Sequence, residues 1–113
     1  MTENKRSIVR TLLAVLAAAS SFPATASSHT GTVAMLELWP NGNVVFTLNG
    51  VTLPCLGQAV VNASASGAKN IYAALLSAKI SARTVELNTS ACVPADGYNP
   101  SVLYARVDYL YVN

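Results

Sequence analysis

Apolar positions in this chain alternate in short runs, and one stretch changes to a helical period. Residues 31–39 and 43–50 alternate with period two, the pattern of half-buried strands. Pro40-Asn41-Gly42 lies between them. A two-residue Asn-Gly loop would set Trp39 opposite Val44 and turn Glu37 onto the face of Phe46. A three-residue loop puts Pro40 at the second position of a type I turn and Gly42 in the left-handed bulge position. That loop pairs Leu38 with Val44, Leu36 with Phe46 and Ala34 with Leu48. A slip of one residue exchanges the faces of a strand, so this all-apolar register is the expected one. The other face then carries Val33, Met35, Glu37 and Trp39 beside Val45 and Thr47. It is either covered by a helix or left open for a partner.

Residues 51–56 predict a short third strand, with Pro54 marking an edge or an end. Residues 61–67 are small and polar and read as a loop, with Ser64 or Ser66 as the helix N-cap. Residues 68 to about 82 predict a helix. Ile71, Ala74, Leu75, Ala78 and Ala82 form one stripe, with Tyr72, Leu76 and Lys79 beside it. Residues 83–87 predict a fourth strand, 88–100 a loop, and 101–112 a fifth strand. In that last strand Leu103, Ala105, Val107 and Tyr109 point one way, and Tyr104, Arg106 and Asp108 the other. Three strands, one helix and two strands make a mainly β (α+β) chain. The order matches a five-stranded OB-like barrel.

The N-terminus changes the charge and the compartment. Lys5, Arg6 and Arg10 form a basic head, an apolar stretch follows to Ala19, and Ala24-Thr25-Ala26 offers a small-x-small cleavage site. Residues 1–26 therefore read as a bacterial-type export signal, expected to pack on nothing, and 27–113 as the secreted or periplasmic domain. The apolar run is well short of the roughly 20 residues that span a bilayer. The whole chain has a formal charge of +2, but residues 27–113 hold Lys69, Lys79, Arg83 and Arg106 against Glu37, Glu86, Asp96 and Asp108. The processed domain is thus neutral and has no electrostatic footprint for nucleic acid or an anionic membrane. Cys55 and Cys92 are the two cysteines, and in an oxidising compartment an even count argues for one disulfide. Closing a loop of that length contributes about 4 kcal/mol in the chain-entropy model.

No catalytic constellation stands out. His29 is the single histidine and lies near the expected new N-terminus. No serine sits in a recognisable nucleophile elbow with a base and an orienting group. The carboxylates are scattered, the glycines form no phosphate loop, and neither a CxxC pair nor four metal ligands is present. Asn62-Ala63-Ser64 and Asn88-Thr89-Ser90 match the glycosylation triplet, which is common by chance. Tyr98, Tyr104, Tyr109 and Tyr111 gather toward the C-terminus. Tyrosine offers a flat apolar face with a polar tip, suited to sugar or protein surfaces, and it also favours ordinary strand packing.

The helix text Lys69-Asn-Ile-Tyr-Ala-Ala-Leu-Leu-Ser-Ala-Lys79 is followed by Thr84-Val-Glu-Leu87, Cys92 and Tyr98-Asn-Pro-Ser-Val102. Together they resemble the exported B subunits of the subtilase-cytotoxin and typhoid-toxin type, and more closely small secreted proteins related to them. The match covers most of residues 31–112. Such subunits form pentameric rings and bind sialylated glycans, so the resemblance implies a pentamer and a glycan ligand. A hydroxyl residue just before the glycine that opens the first strand contributes to the family's sugar site. Thr30 holds that position here, before Gly31. The family's helix-to-strand turn often carries glycine, where this chain has Ser81-Ala82-Arg83. The expectation is a non-enzymatic binding module without cofactor or metal. Its candidate glycan residues are Thr30, Tyr98 and Tyr104, and its candidate partner surface is Met35, Trp39, Tyr72 and Leu76. The alternative is a structural protein that assembles as a homo-oligomer.

Overall fold

The computed structural model describes residues 22–113. The basic head and apolar run of the expected leader lie outside them. The elements are β1 (Phe22–Leu38), β2 (Val44–Leu48), β3 (Ala59–Val61), helix α1 (Ala68–Ile80), β4 (Thr84–Pro94), β5 (Leu103–Arg106) and β6 (Tyr109–Val112). Pairing runs β1–β2–β3–β5–β4, and β4 pairs back onto β1 to close a five-strand ring near a barrel. The β3–β5 pair is parallel and its neighbours are antiparallel. Closure leaves few unpaired edges. β5 and β6 are two pieces of the expected fifth strand, interrupted at Val107–Asp108. They keep one register on β4, with Cys92 opposite Ala105 and Asn88 opposite Tyr109.

The first hairpin has the three-residue loop. Gly42 donates to the Trp39 carbonyl at 2.9 Å and Trp39 to that of Asn43 at 2.8 Å, while Gly42 takes a φ of 98°. Leu38 faces Val44 and Leu36 faces Phe46. The third expected pair is corrected: Leu48 faces Val33, not Ala34, because a bulge shifts the register between Val33 and Leu36. The groups it frees find side chains. Lys79 Nζ donates to the Ala34 carbonyl at 2.8 Å, and the Met35 N–H donates to Thr47 Oγ1 at 3.2 Å. Gly31 lies just before this bulge, where a Cβ would meet the Asn49 carbonyl oxygen at 2.5 Å.

Four other expectations are revised. Residues 51–56 are not a strand: Pro54 lacks a donor and Cys55 sits at φ 68°, so the third strand forms later, at Ala59–Val61. β4 runs on to Pro94, which places Cys92 within a strand rather than a loop. The helix N-cap is Gly67, in the left-handed conformation and without a side-chain cap, because Ser64 is engaged by Asp96 instead. Residues 22 and 23, expected in a detached leader, pair with Cys92 and Ala91, whose backbone groups offer an open edge there.

Phe46, Leu75, Val85 and Leu87 are buried inside the ring. α1 closes one end, burying Ala68, Leu75 and Ala78 and packing half-buried Ile71 and Tyr72 on the same core. The Cys55–Cys92 disulfide is formed and ties the turn before β3 to β4, with Cα atoms 5.9 Å apart.

Candidate functional site

The outer face of the first hairpin is neither covered by the helix nor bare. Val45 and Val60 point outward from β2 and β3 and are buried there by Ala95 and Tyr104, with Met35, Trp39, Val93 and Val102 around them. The segment after β4 folds back over the sheet and makes a second, smaller core. Trp39 is its outermost large member. The Tyr98 ring lies 5.3 Å from it at 67° and the Tyr104 ring 6.2 Å away at 79°, both edge-to-face arrangements that suit aromatic quadrupoles. Trp39 Nε1 donates to Glu37 Oε2 at 3.1 Å. Burial raises the pKa of the Tyr104 hydroxyl, and the nearby Tyr98 and Glu37 add to the rise.

Tyr98 is 54% exposed, yet its loop is held from several sides. The Asp96 carbonyl accepts from Asn41 Nδ2 and Asn43 Nδ2, each at 2.8 Å. The Asp96 N–H donates to Asn62 Oδ1 at 2.8 Å, and Asn62 Nδ2 donates to the Pro94 carbonyl at 3.1 Å. Asp96 Oδ2 accepts from Ser64 Oγ at 2.5 Å. Asn43 is fully buried, and its Oδ1 takes the Ala63 N–H at 2.8 Å. Three asparagines and a serine thus clasp a single aspartate and fix the loop that carries Tyr98 against Trp39.

Below Trp39 opens an apolar cleft of about 340 Å³, between the hairpin turn and the start of α1. Leu38, Pro40 and Tyr72 line it with Trp39, and Lys69 stands at its side. Leu38 is 54% exposed there, so the cleft presents apolar surface to solvent. A second, more polar cleft of about 470 Å³ lies across β4, between β1 and the β5–β6 interruption, lined by Ser27, Asn88, Ser90 and Asp108 among others. Asp108 Oδ1 accepts from Arg106 Nε at 2.8 Å, and Oδ2 accepts from Ser90 Oγ at 2.6 Å. Burial raises the Asp108 pKa, but these hydrogen bonds and the guanidinium charge outweigh it and hold the carboxyl below its ordinary value.

The structure gathers some of the candidate residues. Tyr98 and Tyr104 meet on Trp39, Met35 packs beneath them, and Tyr72 shares the cleft with Trp39. Leu76 is exposed one turn along α1 and does not line that cleft. Thr30 is exposed on β1 opposite Glu86, nine residues before Trp39, or about 30 Å of extended strand. Asn41, Asn43, Asn62, Ser64 and Asp96 were missed as site residues. Their signal was only that asparagine recurs at strand ends, and turn chemistry explains that equally well.

Ser27 Oγ lies 2.9 Å from His29 Nε2. A hydroxyl and an imidazole on one strand need an orienting acid and oxyanion donors to act as a nucleophile pair. Among the described residues no three His, Cys, Asp or Glu side chains come together as metal ligands, and no helix is long and apolar enough to cross a membrane. No family model, curated protein or solved structure matches this chain.

Proposed function

We propose that this is an exported, non-enzymatic binding module that takes a glycan on the surface formed by Trp39 and Tyr98. The observation that carries the reading is the half-exposed Tyr98 ring, immobilised against Trp39 by the asparagine clasp on Asp96. An exposed aromatic ring already fixed in place loses little conformational entropy when a ligand stacks on it. A sugar ring offers C–H groups to the aromatic surface and hydroxyls to polar neighbours, and Asn41, Glu37 and Lys69 supply partners of both charges. The Cys55–Cys92 disulfide supports export, since such bonds persist in oxidising compartments.

Trp39 is the single tryptophan, so its fluorescence reports on the surface directly. A glycan array followed by fluorescence titration of the hits tests the reading. Tyr98→Ala is expected to weaken binding at least tenfold, and Thr30→Ala to leave it unchanged. Loss through Thr30→Ala alone would move the sugar to the start of β1, and an array without hits would end the glycan reading.

One observation favours assembly as a second role. β6 lies at the end of the sheet order, paired only with β4, and exposes Tyr109, Tyr111 and Val112. Such an edge can add a strand from a second copy. A strict monomer by light scattering at high concentration would remove this reading.

A further inference from the structure

The start of β1 carries an observation that the binding surface does not use. The β1–β4 ladder is regular from Ser27 opposite Thr89 to Thr32 opposite Thr84, and its register shifts between Pro23 and Ser27. The irregular stretch is Ala24-Thr25-Ala26, the small-x-small segment that follows the basic head and apolar run of the sequence. Every rung that β1 contributes to the ring from Ser27 onward lies on the far side of that break. Only the pairs of Phe22 with Cys92 and of Pro23 with Ala91 lie before it. The polar cleft of about 470 Å³ also begins here: Ser27 lines it together with Asn88, Ser90 and Asp108.

We propose that hydrolysis of the Ala26–Ser27 peptide bond produces the working domain, and that the ammonium created on Ser27 occupies this cleft beside the Asp108 carboxylate. The step consumes one water and needs an export-linked endopeptidase. The C–N bond breaks, the water oxygen remains on the Ala26 carbonyl carbon as a carboxylate, and the Ser27 nitrogen takes up the protons as an ammonium. The cleft suits a small cation. Arg106 and Ser90 hold the Asp108 carboxylate in place, and each of its oxygens keeps further lone pairs for a donor. Asn88, Thr89 and Ser90 on β4 are uncharged. Of the other ionisable groups, Tyr109 on β6 lines the cleft, His29 on β1 lies 2.9 Å from Ser27 Oγ, and Arg106 on β5 contacts Asp108. Arg106 is the one full positive charge among them, and it is already paired with Asp108 at 2.8 Å.

The full chain is expressed with its own leader in an exporting bacterium, and the exported product is examined by intact mass and N-terminal sequencing. The expected first residue is Ser27. The α-amine is then titrated through the pH dependence of its acylation. An ordinary α-amine titrates near 8, and a carboxylate beside it favours the charged form, so at pH 8 the native amine is expected to react several-fold more slowly than an unpaired one. Asp108→Asn restores the ordinary rate. A glycine inserted between Ala26 and Ser27 does the same by displacing the ammonium from the cleft, and it leaves the Asp108 cluster intact should Asp108→Asn fail to fold. A retained leader or another first residue overturns the processing site. A Ser27 amine that reacts at the ordinary rate in the native protein overturns the cleft seat.

Discussion

Truncating Asn43 to alanine tests the clasp at its deepest point. Asn43 is fully buried, donates to the Asp96 carbonyl and accepts from the Ala63 N–H, both at 2.8 Å. Each hydrogen bond is worth about 1 kcal/mol net. The Asp96 carbonyl keeps its bond from Asn41, so the truncation orphans nothing at that end. The Ala63 N–H loses its acceptor, and a space the size of an amide is left in a dry site. Together these give a destabilisation of about 3 kcal/mol, a large share of the roughly 5–15 kcal/mol that holds a domain together. Asn41→Ala removes one bond to the same carbonyl from an exposed position and also the Oδ1 acceptor of the Asn43 N–H at 3.1 Å, and should cost about 2 kcal/mol. Urea unfolding followed in parallel by far-ultraviolet circular dichroism and Trp39 fluorescence measures both. The native-state emission of Asn43→Ala should also move to the red, because a loosened 94–102 segment admits water to Trp39. A loss below about 1 kcal/mol, equal losses for the two variants, or unchanged native emission would refute the claim that buried asparagine chemistry holds the aromatic surface.

Replacing Cys55 and Cys92 together by alanine should remove about 4 kcal/mol, as the bridge closes a 37-residue separation; denaturation with and without reductant checks this. Ala82→Gly should stabilise by about 1 kcal/mol, because Ala82 holds a φ of 53° in the turn after α1, a conformation glycine adopts without strain. A thermal melt that does not rise would contradict it. The Asp108 carboxyl lies below its ordinary value in the folded state, so its contribution to stability is present above the unfolded value of about 4 and is lost as pH falls through the folded value. Asp108→Asn should therefore flatten the acid side of the stability profile in urea titrations from pH 6 to pH 2.

What could be read from the sequence divides according to the range of the interactions. The hairpin loop, the helix body, the strand order and the disulfide follow from local turn chemistry, period and cysteine count. Pro40-Asn41-Gly42 admits one loop geometry that keeps Leu36 and Leu38 opposite apolar partners, and the structure has it. The third strand was misplaced because the apolar content of residues 51–56 outweighed Pro54 and a left-handed Cys55, while Ala59-Val60-Val61 is only three residues long. The clasp was hidden for another reason. Asn41 and Asn43 reach Asp96 across 55 and 53 residues, and Asn62 across 34. Each also sits where asparagine is an ordinary turn or strand-end residue.

The bulge in β1 connects these two categories. Directly opposed residues share a face, so Gly31 beside buried Val85 and His29 beside buried Leu87 place the odd positions inward along β4. Val33 is still inward, but beyond the bulge the inward residue is Leu36, opposite buried Phe46. One extra residue therefore lets a single strand present odd positions to one neighbour and even positions to the next. Met35 and Trp39 fall on the outer face only because of that exchange. Alternation could not reveal it, since Val33-Ala34-Met35-Leu36 is apolar throughout and fits either phase. The sign of the exchange lay at Gly31, where a side chain would strike the Asn49 carbonyl. The close approach of β1 to the end of β2 at that point belongs to the same irregular stretch of ladder that turns the tryptophan outward.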